Sequence, residues 1–163
     1  MSTSHKVTRL EQVVEERARW KEEGKTVALA NGVFDLLHVG HVRYLEGAKE
    51  LADYLVVAVN SDASTRAYKG PGRPHISENE RAEMVAALAC TDRVLLFDEP
   101  NVRNIIRALK PDIQVKGTDY TPDTVPEADE VRAYGGRVAV AGDPKDHSTT
   151  ELARRLQAER EAK

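Results

Sequence analysis

The sequence predicts an α/β fold: a doubly wound sheet of five parallel strands, in the order 3-2-1-4-5, with helices on both faces. Three observations carry this. Short apolar, β-branched runs alternate along the chain with segments of helical periodicity. Several of the runs are continuous rather than alternating, as suits strands buried on both faces. Short turns link strand to helix, which places the crossovers on either side of one sheet.

The elements follow in order. Residues 1–6 are polar and expected to fray. From Thr8, the spacing of Leu10, Val13, Val14 and Arg17 predicts an amphipathic helix ending near Gly24, with Thr8 as N-cap and Glu11 three residues on. Trp20 reads as its packing anchor. Residues 1–24 are thus a helical extension, expected to dock on the domain or help build an oligomer contact, and residues 25–163 are the domain itself. Residues 26–30 form the first strand, and Tyr44, Leu45, Ala48, Leu51 and Ala52 mark the helix after it. Residues 54–59 form the second strand. Residues 63–77, with two glycines and two prolines, read as an irregular loop made cationic by Lys69 and Arg73. Ser77 and Glu80 open a helix through Ala89 as a capping box, with Arg81 facing out of its first turn. Residues 93–97 are the third strand. Val102, Ile105, Ile106 and Leu109 mark a helix stopped before Pro111. Residues 112–116 are the fourth strand, residues 127–134 a short helix ended by Gly135-Gly136, and residues 137–141 the fifth strand. Ser148-Thr149-Thr150 then start a final helix carrying Leu152 and Leu156.

Composition narrows the function classes. A chain of 163 residues suits one domain with a full core. A formal net charge of −3 supplies no basic field for nucleic acid. The single Cys90, assigned to the apolar helical segment 84–89, rules out an intramolecular disulfide and fits a reducing compartment. No signal-peptide pattern or membrane-length apolar run is present, so a cytoplasmic protein is expected.

The chemistry concentrates in Asn31-Gly32-Val33-Phe34-Asp35-Leu36-Leu37-His38-Val39-Gly40-His41, a turn from the first strand into a helix. Such a turn aims backbone N–H groups at whatever lies above it and favours an anion. His38 and His41 are three apart and share one face if the helix has begun by His38; Gly40 leaves room for a ligand to approach. The pattern is a phosphate site with two imidazoles, against the plainer reading of capping and packing. Metal ligation ranks below it, because no third ligand lies at suitable spacing and the cysteine is distant; no protein metal site is expected. Asn60-Ser61-Asp62, Lys116 with Asp119, and the 148–150 cluster also lie at C-terminal ends of strands. Open α/β sheets bind ligands at that edge.

These motifs carry a resemblance. Gly32-x-Phe34-Asp35 followed by His38-x-Gly40-His41 resembles the signature of the nucleotidyltransferase superfamily that includes cytidylyltransferases and pantetheine-phosphate adenylyltransferase. Val59-Asn60-Ser61-Asp62, Lys69-Gly70-Pro71-Gly72-Arg73-Pro74, Val115-Lys116-Gly117-Thr118-Asp119-Tyr120-Thr121-Pro122 and Ser148-Thr149-Thr150 follow in the family's order. From about Thr26 onward the chain is most similar to the heptose-1-phosphate adenylyltransferase domain of ADP-heptose synthesis, with a Rossmann-like sheet. One departure stands out: related cytidylyltransferases carry an arginine and a glycine before the Ser/Thr cluster, where this chain has Lys145-Asp146-His147.

The resemblance implies transfer of AMP from ATP to D-glycero-β-D-manno-heptose 1-phosphate, with Mg²⁺ bridging the phosphates. It implies His38, His41, Lys69 and Lys116 as catalytic groups. The nucleotide would lie against Asn31, Gly32, Val33 and Phe34 of the turn, Gly40 with the two histidines, and Lys116, Gly117 and Asp119. Ser148 and Thr149 would hold the β- and γ-phosphates, and backbone near residues 116–120 and 140–141 would select adenine. The sugar phosphate would meet Asp35, Asn60, Ser61, Asp62, Arg73 and Arg81. A homodimer is implied, without nucleic-acid or membrane partners, together with a separate upstream sugar kinase. Two alternatives stay open: a glycerol-3-phosphate cytidylyltransferase or other sugar-phosphate nucleotidyltransferase, and a non-catalytic nucleotide-binding module.

Overall fold

The computed structural model of the protein describes residues 3–144. Strands β1 (Val27–Gly32), β2 (Tyr54–Asn60), β3 (Arg93–Phe97), β4 (Ile113–Lys116) and β5 (Arg137–Val140) form one sheet in the order β3-β2-β1-β4-β5. Every neighbouring pair is parallel, with Val27 opposite Tyr54 and Ala30 opposite Val115 in the central registers. The expected order and direction are those observed.

The continuous apolar runs are explained by two packed faces. Ala28, Ala30, Leu55, Val57 and Val59 point into one core with Tyr44, Leu45 and Ala48 of α2 (Val39–Lys49) and with Ala82, Val85 and Ala86 of α4 (Glu78–Ala87). The intervening Val27, Leu29, Val56 and Ala58 face a second core with α1 (Leu10–Glu22), α5 (Arg103–Leu109) and Val131 of α6 (Ala128–Ala133). At about 0.8 kcal/mol per buried CH₂, these two cores are the main favourable term in the fold.

The N-terminal helix is built into the second core. Val13 is fully buried, and Trp20 stacks on Tyr54 with ring centroids 4.1 Å apart, which bears out its reading as an anchor. Arg93 grips both oxygens of Glu16 at 2.7 and 2.9 Å, and Arg17 meets Asp112 at 3.0 Å.

Several expectations are corrected. Ser4–Lys6 are held rather than frayed: they form a 3₁₀ turn, Lys6 Nζ donates to the Leu88 carbonyl, and Val7 bridges Val94 on the sheet edge. Arg9, not Thr8, is the N-cap of α1; the Thr8 hydroxyl donates to Gln12 Oε1 at 2.6 Å instead. The first half of the stretch read as loop from residue 63 is a helix, α3 (Asp62–Lys69), capped by Ser61 and ended by Gly70 at φ 89°. The capping signal, Ser61 with Asp62 behind it, was outweighed by the glycines and prolines just downstream. The capping box of Ser77 and Glu80 is present, but α4 stops at Ala87, so half-buried Cys90 lies beyond it.

Candidate functional site

The first β–α corner builds the floor of the site. Past β1, the chain turns through Phe34 at φ 53°, a left-handed conformation unusual for an aromatic residue. The turn folds the buried Phe34 ring back over Gly32, where an added Cβ would sit 3.1 Å from the ring. A side chain at Gly32 would push the ring back by a few tenths of an ångström, so glycine eases this close approach. Asp35 is also buried. It accepts from Arg73 at 2.8 Å and from the amides of His75 and Ile76 at 2.7 and 3.1 Å. Burial pushes its carboxyl upward, but the Arg73 guanidinium and the two amides outweigh that and hold it below the usual range. Asp35 thus fastens the 70–76 segment down beside the corner.

Helix α2 begins at Val39, so His38 is its extended N-cap and His41 its third residue. The His38 amide donates to His41 Nδ1 at 3.4 Å, and the two rings stack with centroids 3.9 Å apart. Because Nδ1 accepts, the proton of a neutral His41 ring belongs on Nε2. Burial, then the neighbouring charges of His38 and Lys69, pull His41 down to about 4. At neutral pH the ring is an uncharged donor at the positive end of a helix.

Above this floor opens a cavity of about 530 Å³ at the C-terminal edge of the sheet. That size suits a nucleotide-scale ligand. Asn31, Gly32, Val33, Phe34, Asp35, His38, Gly40 and His41 line it from the first corner. Lys69 reaches it from the end of α3 and Asn60 from the end of β2, while Lys116, Gly117 and Asp119 line the far wall. Lys116 Nζ donates to Asn31 Oδ1 at 2.9 Å and lies 3.4 Å from Glu127 Oε2. Burial pulls this amine downward, and Glu127 works against the pull. Tyr44 ties the walls together, its hydroxyl donating to the Val115 carbonyl at 2.8 Å.

Other expected site residues are placed elsewhere. Arg81 does not face outward: it is completely buried. It donates to the carbonyls of Ile76, Val33 and Asn60 and to Asp62 Oδ1, the last at 2.8 Å. Ser61 accepts from the Ser64 amide as the cap of α3, and the Asp62 amide donates to Glu78 Oε2 at 2.6 Å. Arg73 holds Asp35. Ser61, Asp62, Arg73 and Arg81 therefore form the scaffold behind the corner rather than the cavity wall. Ser148 and Thr149 lie outside the described residues.

Ala141, expected near adenine, also lines the cavity; Tyr44, Tyr68, Phe97, Pro100, Asn101, Glu127 and residues 142–144 line it too and were not anticipated. Tyr68 and Asn101 sit in segments read as loop or turn, where sequence offers no facing information. Glu127 was the first residue of the expected short helix, and a carboxylate there looks like an ordinary helix start.

Residues 29–155 match the family model described as cytidylyltransferase-like. The chain is 54% identical over 136 residues to the bifunctional protein HldE of Syntrophotalea carbinolica, covering 83% of this chain and 28% of that protein. It is 44% identical over 157 residues to the protein of the same name from Magnetococcus marinus, covering 96% and 32%. The chain thus spans less than a third of the length of these curated relatives. Among solved structures, the lipopolysaccharide core biosynthesis protein from Thermoplasma volcanium GSS1 matches with a TM-score of 0.58 and 33% identity, over 72% of this chain and 94% of that one.

Proposed function

The chain belongs to the cytidylyltransferase-like family, and on that premise we propose that it transfers AMP from ATP to D-glycero-β-D-manno-heptose 1-phosphate, forming ADP-heptose and pyrophosphate. The observation that carries the reading is the stacked pair of imidazoles at the first β–α corner, facing a cavity that Lys69 and Lys116 also enter. The HldE relatives and the lipopolysaccharide core protein support a sugar-phosphate acceptor.

In this reaction a phosphate oxygen of the sugar attacks the α-phosphorus of ATP. A new O–P bond forms as the bond to the β-phosphate oxygen breaks, and pyrophosphate leaves with the electron pair. The nucleophile is already an anion, so no strong base is needed. Rate enhancement then comes from positioning and from donors aimed at developing charge. His41 is suited to this role: neutral when the site is empty, it offers Nε2–H without the desolvation cost of a buried cation. Lys69 and Lys116 supply fixed positive charge. Asn31 and the backbone of residues 32–34 frame the phosphates, with Gly40 clearing space above the first helical turn. Gly117 and Asp119 belong to the same nucleotide wall. Ser148 and Thr149 are proposed as holders of the terminal phosphates.

Among the described residues no group of three or more His, Cys, Asp or Glu side chains is placed to hold a metal ion. Carboxylates beside the site are paired, Asp35 with Arg73 and Glu127 with Lys116. Mg²⁺ would therefore arrive with the triphosphate and be held chiefly by phosphate oxygens. A homodimer, and a sugar kinase that supplies the 1-phosphate, belong to the same proposal. Among the described residues no helix is long and apolar enough to cross a membrane.

The test is pyrophosphate release measured for ATP and CTP against heptose 1-phosphate and glycerol 3-phosphate. Turnover with ATP and heptose 1-phosphate is expected. Turnover with CTP alone would replace the adenylyl assignment, and ATP binding without transfer to any acceptor would leave a binding module.

A further inference from the structure

A carboxylate in the wall of a site for polyphosphate is an anomaly, because an anion there repels the substrate. Glu127 is such a residue. It is only 3% exposed, it lines the cavity, and its Oε2 is met by the Lys116 ammonium at 3.4 Å, outside close hydrogen-bond geometry. Lys116 lies 3.4 Å away as an ion pair, and Lys116 gives its own hydrogen bond to Asn31 Oδ1, which also accepts from Gln114 Nε2 at 3.2 Å. A buried carboxylate whose oxygen is met by an ammonium only at 3.4 Å keeps acceptor capacity that a ligand hydroxyl can fill.

Resting on the nucleotidyltransferase reading above, we propose that Glu127 is a specificity-determining residue whose carboxylate accepts hydrogen bonds from vicinal hydroxyls of a sugar ring. The chemistry selects this class. Phosphate oxygens carry no donor at neutral pH and are repelled. Adenine presents its amino group beside a ring-nitrogen acceptor, a pattern matched by an amide and mismatched by an acceptor-only carboxylate. A vicinal diol presents two donors to two acceptor oxygens. Lys116 balances the charge, so the pair meets the incoming triphosphate without a net negative wall. A site built to bond a hydroxyl rejects the analogue that lacks it, because the carboxylate is then left unpaired.

Both substrates carry such hydroxyls, on the ribose of ATP and on the acceptor ring, and the experiment separates them. Wild type, Glu127→Ala and Glu127→Gln are assayed for kcat/KM with ATP, 2′-deoxy-ATP, 3′-deoxy-ATP and purine riboside triphosphate at fixed heptose 1-phosphate. They are then assayed with heptose 1-phosphate and its deoxy analogues at fixed ATP. Wild type is expected to prefer the fully hydroxylated substrate about 10–100-fold in one arm. That preference should fall towards unity in Glu127→Ala and stay intermediate in Glu127→Gln; the arm in which this happens names the ring. The proposal is overturned if wild type shows no preference in either arm, or if the preference survives in Glu127→Ala. It is equally overturned if both variants lose activity by one common factor for every substrate, which is a counter-ion role alone, or if only discrimination against purine riboside triphosphate collapses. Thermal unfolding of each variant separates these outcomes from misfolding. Should wild type adenylylate no acceptor, the functional reading fails on its own account. Calorimetric affinities of wild type and both variants for ATP and the two deoxy-ATPs then decide the ribose arm, and an unchanged ratio overturns the proposal.

Discussion

The two edges of the sheet are built from similar polar residues and treat them in opposite ways. At the N-terminal edge, aspartates accept from strand-start amides: Asp53 from Thr26 at 2.9 Å, Asp112 from Val27 at 2.7 Å and Asp92 from Leu55 at 2.7 Å. The Thr26 amide and hydroxyl stabilise the charged form of Asp53 and pull it down to about 2. At the C-terminal edge, burial and positive neighbours disfavour the charged form of His41. The first edge is electrostatically complete. The second opens on a cavity, into which the proposed reaction would bring phosphate. What distinguishes a site from a scaffold is thus whether the polar groups have already met their partners.

The largest expected effect breaks the comparison at its open edge. His41→Ala should lower kcat by about 10²–10³ while changing ATP affinity and melting temperature little, because the donor matters most in the transition state. Single-turnover kinetics with calorimetry checks this; equal losses in affinity and rate would make His41 a ground-state anchor. Arg81 sharpens the comparison, since it lies at the C-terminal edge yet is fully satisfied. Arg81→Leu should therefore behave like a scaffold lesion, costing about 3 kcal/mol of stability by urea denaturation, because it removes the donor that Ile76, Val33, Asn60 and Asp62 share. At the closed edge, Asp112→Ala leaves the buried Val27 amide without its acceptor. It should cost about 1–3 kcal/mol with kcat per folded molecule unchanged.

A last expected effect is on pH dependence. His41 binds a proton near 6.5 when unfolded but only near 4 when folded. The unfolded state therefore takes up more protons between those values, and stability falls as pH drops from 6.5 to 4. Asp53 follows between 3.8 and about 2, where the unfolded carboxyl protonates first. Urea midpoints at pH 7 and pH 5 should differ less in His41→Ala than in wild type; identical differences would remove His41 from this account.

Legibility in the sequence follows the same division. The phosphate corner was readable because it is local: Gly32, Phe34, His38, Gly40 and His41 all lie within ten residues, and their spacing alone fits them to a strand-to-helix turn. Asn60 and Lys116 were readable as strand ends. Arg81 was not, because its partners Val33 and Asn60 lie 48 and 21 residues away. A capping-box helix start gave no sign that its second turn would be driven into the protein. Glycines and prolines at residues 70–74 masked the helix directly before them.

The sequence by itself determined the layered sheet, its strand order and the edge that carries the candidate site. Those depend on periodicity and chain direction, which every short window of residues expresses. Only the tertiary structure decided which polar side chains at that edge are spent on the protein and which face the cavity. Arg81, Asp62 and Arg73 are internal partners, while Lys116 and Glu127 meet across the wall from Asn31, 85 residues from Lys116 in the chain. Hydrogen-bond saturation is a property of groups brought together from distant segments, and no local pattern records it.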